Sequence, residues 1–561
     1  MFLKYFRTLI IALLCLFGGE VYNNAIAQTA IPKHEVRAVW LTTIGGLDWP
    51  HNYAQSERSA HKQQQELIKI LDQLQKANIN TVLIQTRIRA TTLYPSDIEP
   101  WDGCLSGFPG KSPGYDALKF AVDECHKRGM ELHAWIVTIP VGKWNGFGCK
   151  RLRTKYPQMI KKIGDEGFMN PERPETAEYL ARMCREIVDR YDVDGIHLDY
   201  IRYPETWNAK INRTEGRSNI TRIVKKIHDS IKPVKPWVKM SCSPVGKFDD
   251  LTRYWSHGWN AYTTVCQDAQ GWLRTGLMDE LFPMMYFKGN QFFPFAIDWK
   301  ENSCGRIVAP GLGIYFLSPK EKDWPIDIIE REMYVLRSEG LGHAYFRSKF
   351  FTDDVKGVFT LAKDYIDTYP ALVPPMTWAS SKRPTAPLSL RLKHTDDCDM
   401  LEWDGAHDHS DGPYLTYNIY ASEKYPVNID DARLLVATKR QETSIKIPAN
   451  GTTLNYAVTA IDRYGNESMP ATTPSKATPQ SIALPILEND GKKLLLPTKG
   501  QVLDASHIVI EDIQGRIIKT CPYQGKYINI TTLDDGMYIL RSLNKRGVSH
   551  RLGHFVKKTR F

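Results

Sequence analysis

Between residues 34 and 370, short apolar runs alternate with helical patterns eight times, and this alternation limits the possible folds more than any other feature. The apolar runs fall at 36–41, 80–85, 131–137, 195–198, 237–241, 281–286, 307–312 and 342–346. Strands buried on both faces read this way, as short continuous apolar segments. Helical patterns follow at 61–77, 115–127, 175–190, 218–231, 326–338 and 354–369, and a Trp-rich helical region precedes the sixth run. Leu67, Ile68, Leu71 and Leu74 make one of the apolar faces. Eight strand–helix units predict a parallel (β/α)8 TIM barrel with enlarged loops over 34–370. A doubly wound open sheet is the alternative. It would carry a Gly-rich phosphate turn after its first strand, and Thr42-Thr43-Ile44-Gly45-Gly46 is not one.

The 561-residue chain is too long for that domain alone. Prolines cluster and periodicity stops at 371–387, which reads as a linker. Residues 388–475 read as all-β and resemble a fibronectin type III module, carried by PTAP at 384–387, the strand around Trp403 and NYAVTAIDRYGNES at 455–468. Residues 481–561 are also β and resemble the small sandwich tails of many exported bacterial proteins, some of which serve as export signals. The expected fold class is therefore multidomain, a barrel followed by two small β sandwiches. The N-terminus reads as a secretory signal over 1–27, with Lys4 and Arg7, the apolar run LIIALLCLF and an Ala25-Ile26-Ala27 cleavage site. That run is too short to span a bilayer comfortably, and no later segment is apolar enough to span one. An exported protein, periplasmic or at the cell surface, is expected.

Losing Lys4, Arg7 and Glu20 with the signal takes the formal charge from +10 to +9. A basic surface suits an anionic polymer. The absence of a dense Lys/Arg run argues against nucleic acid. Nine cysteines remain (104, 125, 149, 184, 242, 266, 304, 398 and 521), odd in number, irregular in spacing and without a C-x-x-C. No disulfide framework or zinc site is expected. One loop bridge, such as Cys104 to Cys149, is open as an alternative.

Barrel enzymes build their sites at the C-terminal ends of the strands. Those ends carry Thr42, Thr43, Asp48 and Trp49, then Gln85, Arg87, Arg89 and Tyr94, then Trp135, Thr138 and Trp144. Next come Asp199, Arg202 and Tyr203, then Ser243, Met285 and Tyr286, Tyr315 and Arg347. This is an aromatic-lined cleft with several cations and few carboxylates. Sugar rings stack their C–H faces on aromatic rings, so the set points to a polysaccharide, with Arg87, Arg89, Trp135, Arg202, Tyr203, Tyr286 and Tyr315 as binding residues.

Four segments, VRAVWLTT at 36–43, NTVLIQTR at 80–87, VDGIHLDYIRYP at 193–204 and QDAQGWLRTGLMDELFPMMYF at 267–287, resemble the family-10-like glycosyl hydrolases. That resemblance covers about residues 34–370. It implies an exported bacterial barrel that hydrolyses glycan, and the family includes an enzyme that cuts peptide-free peptidoglycan strands. An N-acetylated wall glycan cut by a glucosaminidase- or muramidase-type enzyme is the expectation. Glycoside hydrolysis normally needs two carboxyl groups. Asp199, ending the fourth strand, is the first. Chitinase-like families keep a Glu two residues after the matching Asp, and Ile201 stands there instead. Asp268, inside the last motif, is the best second carboxylate, although an Asp opening a helix is often an N-cap. Asp48, Glu205 and Asp249 are alternatives. Arginine grips a carboxylate with two parallel hydrogen bonds, so an arginine of this set would suit the lactyl carboxylate of muramic acid.

His133 and His197 lie inside the third and fourth strands, with no third ligand placed beside them. No metal or other cofactor is expected, and a metal-dependent deacetylase of wall sugar is the lesser enzymatic alternative. A non-catalytic glycan-binding or scaffold protein is the other.

Overall fold

The computed structural model describes residues 31–558, apart from 208–210, 255–257, 395–397, 411, 449–453, 474–485, 497–504, 514 and 545–548. The expected signal at 1–27 lies outside the described residues. The chain divides into two compact units, with the break between Thr473 and Pro474.

The first unit contains the barrel. Its strands are β1 (Arg37–Leu41), β2 (Thr81–Arg87), β3 (Glu131–Val137), β4 (Gly195–Asp199) and β5 (Lys239–Cys242). They continue with β6 (Glu280–Leu281 and Met284–Met285), β7 (Ile307–Val308 and Gly311–Leu312) and β8 (His343–Tyr345). Each pairs in parallel with the next, and β8 pairs back onto β1 with Arg37 opposite His343. β6 and β7 are each split at a proline, Pro283 and Pro310, because proline has no N–H to give to a ladder. Neighbouring groups carry the pairing across the breaks: Phe282 N–H donates to Cys242 O at 2.9 Å, and Gly311 N–H to Pro283 O at 2.7 Å. The eight strands thus close into a ring.

Alternation along the strands decides what lies inside. Val39 and Leu41, Val82 and Ile84, Ala134 and Ile136, and Ile196 and Leu198 join the large cluster outside the strands, under the helices. Ala38, Trp40, Leu83, Trp135 and Phe282 form the separate cluster within the ring. By the same period, Glu131, His133 and Trp135 rise through the interior on β3, and Gly195, His197 and Asp199 on β4. Gly195 must be glycine for packing reasons: a Cβ there would meet the His133 ring at 2.6 Å.

The five long helices follow the sequence reading closely, at Glu57–Lys76, Ala117–His126, Pro174–Arg190, Arg213–Ile231 and Ile326–Ser338. The expected helix at 354–369 is instead a chain of short turns around Val358–Leu361, because Asp354, Lys356 and Gly357 all take positive φ. The loop after β3 holds an excursion the periodicity did not show. It contains three antiparallel strands (Pro140–Lys143, Ile160–Ile163 and Glu166–Met169) and the helix Phe147–Lys155.

Residues 388–473 form two sheets. One orders Leu388–His394, Cys398–Asp404 and Ser444–Pro448, and the other Leu435–Arg440, Thr416–Ser422, Asn455–Ile461 and Ala471–Thr472. This module packs against the N-terminal end of the barrel through charge. Lys439 Nζ lies 2.7 Å from Glu131, Arg463 lies 3.1 Å from Asp192 and 3.3 Å from Asp194, and Lys33 lies 2.6 Å from Glu467. The expected linker is correspondingly not a free tether. Val373 joins the cluster inside the barrel and Leu372 the module's core, while Met376 N–H donates to Tyr464 O at 2.7 Å. Its apolar residues are spent on closing the barrel floor.

The second unit has its own core of Ile508, Ile510, Leu540 and Phe555. It holds a four-stranded antiparallel sheet, ordered Ile517–Pro522, Ala505–Asp512, Gly536–Asn544 and Ser549–Lys557, and the pair Lys493–Leu495 with Tyr527–Asn529. Among the described residues no helix is long and apolar enough to cross a membrane.

Candidate active site

Asp199 ends β4 as an inward-pointing residue at the C-terminal mouth. Three donors converge on its carboxylate. Ser243 Oγ donates to Oδ1 at 2.8 Å, the Tyr200 backbone N–H to Oδ1 at 2.8 Å, and Trp135 Nε1 to Oδ2 at 3.0 Å. Its carbonyl accepts from both the backbone N–H and the hydroxyl of Thr138. The adjacent strand ends supply the side-chain contacts, β3 through Trp135 and Thr138 and the end of β5 through Ser243, and the residue after Asp199 supplies its own backbone N–H.

Burial pushes the Asp199 carboxyl above the ordinary aspartate range; the bonds from Ser243 and Trp135 and the charge of Arg202 act in the opposite sense. Indole and backbone N–H groups can only donate, so the arrangement is built for the ionised form. Oδ2 takes a single donor, which leaves a lone pair for a reacting atom.

Tyr200 follows with φ 52°, a left-handed conformation that costs a bulky residue energy and is found where structure enforces it. Its ring is 40% exposed. Arg202 lies over that ring at 4.7 Å and over Trp259 at 5.4 Å, and pairs with Glu205 at 2.8 Å. Tyr286, beyond β6, stacks on Phe346 at 5.2 Å and meets Tyr315 edge-on at 5.6 Å. Burial, and then the Asp199 charge, hold the Tyr286 hydroxyl well above the usual phenol range, so it stays protonated. Burial also pushes the Tyr315 hydroxyl up, to about 12.

The structure thus brings together Asp199, Trp135, Arg202 and Tyr286, with Tyr315 beside Tyr286. It places the other expected residues elsewhere. Arg87 is fully buried and commits its guanidinium to Glu99, at 2.7 Å, and to the carbonyl of Thr138, at 2.9 Å; with Val137 O also taken, no donor faces the cleft. Tyr203 is 2% exposed, packed edge-on against Trp207 with its hydroxyl accepting from Asn219, so it is a core residue and not a sugar platform. Asp268 caps the helix Ala269–Arg274, accepting from Gly271 N–H at 3.1 Å, and shares no hydrogen-bond partner with Asp199. Asp48 is tied to Arg347 and to Thr42 N–H. Arg89 is exposed on a neighbouring cleft.

The carboxylates that act electrostatically on Tyr200, besides Asp199, are Glu205 and Glu166. Both are about half exposed, and Glu166 is held by Lys143 at 3.4 Å. Glu166 sits on the unforeseen excursion after β3, so only the alternation within 160–169 could have hinted at it. Tyr200 was visible in the motif, but its backbone conformation was not.

His197 lies one layer below Asp199. Trp40 Nε1 donates to its Nε2 at 3.3 Å, so Nδ1 carries the hydrogen toward Ser241 at 3.0 Å. Burial, and then His133, hold it well below the usual histidine value, as a neutral ring. His133 faces Glu131 at 3.3 Å. Among the described residues one triad, Glu35, His343 and Asp367, has ligand-spaced atoms; it lies at the floor of the barrel and is bridged by the guanidinium groups of Arg37 and Arg337. Cations already fill it. Cys104 and Cys149 are both free thiols, so the alternative bridge is not formed.

Glycosyl hydrolase YngK of Bacillus subtilis is 28% identical over 496 residues, covering 81% of this chain and 96% of that protein. Glycosyl hydrolase DigH of Escherichia coli K12 is 32% identical over 296 residues, covering 46% of this chain and 67% of its own length. Among solved structures, the catalytic domain of a beta-amylase from Paenibacillus polymyxa superposes with a TM-score of 0.40 at 11% identity, over 60% of this chain and 99% of that one. A family model described as glycosyl hydrolase-like 10 matches residues 35–217 and 208–316, just over half of the chain and the barrel from β1 through β7. The protein belongs to the glycosyl hydrolase-like 10 family.

Proposed function

We propose that this glycoside hydrolase-type protein cuts the glycan strand of bacterial peptidoglycan after its peptides have been removed, as a glucosaminidase- or muramidase-type enzyme. The observation that carries the reading is the buried Asp199 carboxyl at the barrel mouth, which accepts from Trp135, Ser243 and Tyr200 N–H, with Tyr200, Tyr286 and Tyr315 on the neighbouring strand ends. In this reading the rings stack the sugar at the scissile bond. Asp199 Oδ2 meets the positive charge that develops at the anomeric carbon, as nucleophile or as fixed counter-charge. The leaving oxygen needs a proton donor, and Glu166 or Glu205, the two exposed carboxylates whose charge acts on Tyr200, takes that role in place of Asp268. With residues 1–27 as an export signal, the enzyme meets wall glycan outside the cytoplasm.

The test is digestion of amidase-treated peptidoglycan beside chitin oligomers, with mass spectrometry of the products. Reducing-end disaccharides or short oligosaccharides from the wall glycan support the reading. Cutting of chitin with intact wall strands would replace the substrate, and intact strands with retained binding would favour the glycan-binding alternative.

A further inference from the structure

A second cleft, of about 610 Å³, opens at the loops after β1, β2 and β3. Its volume suits a small ligand. Lys143 lines it and pairs at 3.4 Å with Glu166, a carboxylate whose charge acts on Tyr200.

Two aromatic rings flank it, Tyr53 at 58% and Phe147 at 40% exposure. Neither is loosely placed. A Cβ on Gly107 would meet the Tyr53 ring at 3.1 Å, and one on Gly110 would meet the Phe147 ring at 2.8 Å. A single turn therefore backs both rings with glycine. Both glycines have positive φ (82° and 84°), so a side chain there is disfavoured twice over. Each ring thus rests on backbone and still keeps a large exposed surface.

Arg89 lines the same cleft. Its stem runs along Gly142, where a Cβ would meet its Cβ, Cγ and Cδ at 3.0 Å. Arg87, which ends β2 two residues earlier, is consumed by Glu99. Arg89 is exposed and, among the described residues, makes no ion pair or side-chain hydrogen bond. The cleft's acidic group, Asp102, is already engaged by Cys104 N–H at 2.7 Å and by the Thr91 hydroxyl at 2.5 Å. An exposed, unpaired guanidinium on a packed stem, sharing a cleft with two glycine-backed rings, is suited to a ring that stacks and a carboxylate that takes two parallel hydrogen bonds.

We infer that this cleft is an outlying subsite for a sugar unit carrying a carboxylate, with Arg89 as the group that reads the charge and Tyr53 and Phe147 as the stacking platforms. The inference rests on the wall-glycan reading for its ligand, since peptide-free strands carry such a carboxylate on alternate sugars. The test measures binding in the Asp199→Asn protein, so that no strand is consumed. The probes are peptide-free wall strands and the same strands with their carboxylates amidated. The free-acid strands are expected to bind at least about 10-fold tighter. Arg89→Gln should abolish that difference, Arg89→Lys should restore part of it, and Phe147→Ala should weaken both probes together. Equal affinity for the two probes, or an unchanged difference in Arg89→Gln, overturns the subsite. Failure of the wild-type protein to cut strands that still show Arg89-dependent binding would overturn the hydrolase reading and leave the subsite standing.

Discussion

At the scale of a single residue, the proposed role of Asp199 rests on its surroundings, and these determine what substitution should do. Its pKa is raised on folding, so whatever stability the protonated carboxyl contributes is complete below the unfolded value and is lost as pH rises through the folded one. In the folded protein burial therefore disfavours the ionised form. Asp199→Asn should cost about 10³-fold or more in kcat/KM and leave the melting temperature at pH 7 unchanged or higher. Ser243→Ala removes a donor that favours the ionised form, so the acid limb of the kcat/KM profile should move to higher pH. Asp199 was legible in the sequence because a buried apolar strand ended in a carboxylate. Its second carboxylate was not. Asp268 sits in a recognisable motif, but a helix N-cap and a catalytic acid present the same residue type in one dimension, and the structure gives it to the cap.

At the scale of elements, the barrel strands were readable because parallel strands buried on both faces are short apolar runs. The excursion at 140–169 was not, since its four-residue antiparallel strands are too short for a period to show. Arg87 was misjudged for a related reason: whether a strand-end arginine opens to the cleft or turns into the wall depends on Glu99, from a loop twelve residues on. Two element-level predictions follow from backbone geometry. Tyr200→Gly should be more stable than Tyr200→Ala by about 1 kcal/mol in denaturant titration, because φ 52° suits glycine and strains alanine. Gly195→Ala should destabilise by about 2 kcal/mol or more, since the new methyl meets the His133 ring of the neighbouring strand at 2.6 Å.

At the scale of the molecule, the barrel and the β module at 388–473 read as separate beads on the sequence but share a charged, partly buried junction. Charge complementarity between parts far apart in the chain leaves no local signature. The two should unfold in one transition. Arg463→Ala removes the cation shared by Asp192 and Asp194 and should cost about 1–2 kcal/mol, less than breaking a fully buried pair, because Asp192 is partly exposed and keeps Tyr414 and Asp194 keeps His126. Burial tends to lower the pKa of His126 at this junction, but Asp194, at 2.9 Å, outweighs it and the folded value is raised. Its contribution to stability is thus present below the unfolded histidine value and is lost as pH rises through the folded one. Melting at pH 6 against pH 8 should show that loss in the parent protein and a smaller one in His126→Gln.

The central claim is that Asp199 is the carboxylate that makes this barrel a wall-glycan hydrolase. The most direct measurement is time-resolved mass spectrometry of amidase-treated peptidoglycan incubated with the parent protein and with Asp199→Asn, both shown to be folded by circular dichroism. Release of reducing-end fragments by the parent and none by the variant is the predicted result. Equal release by both proteins would contradict it.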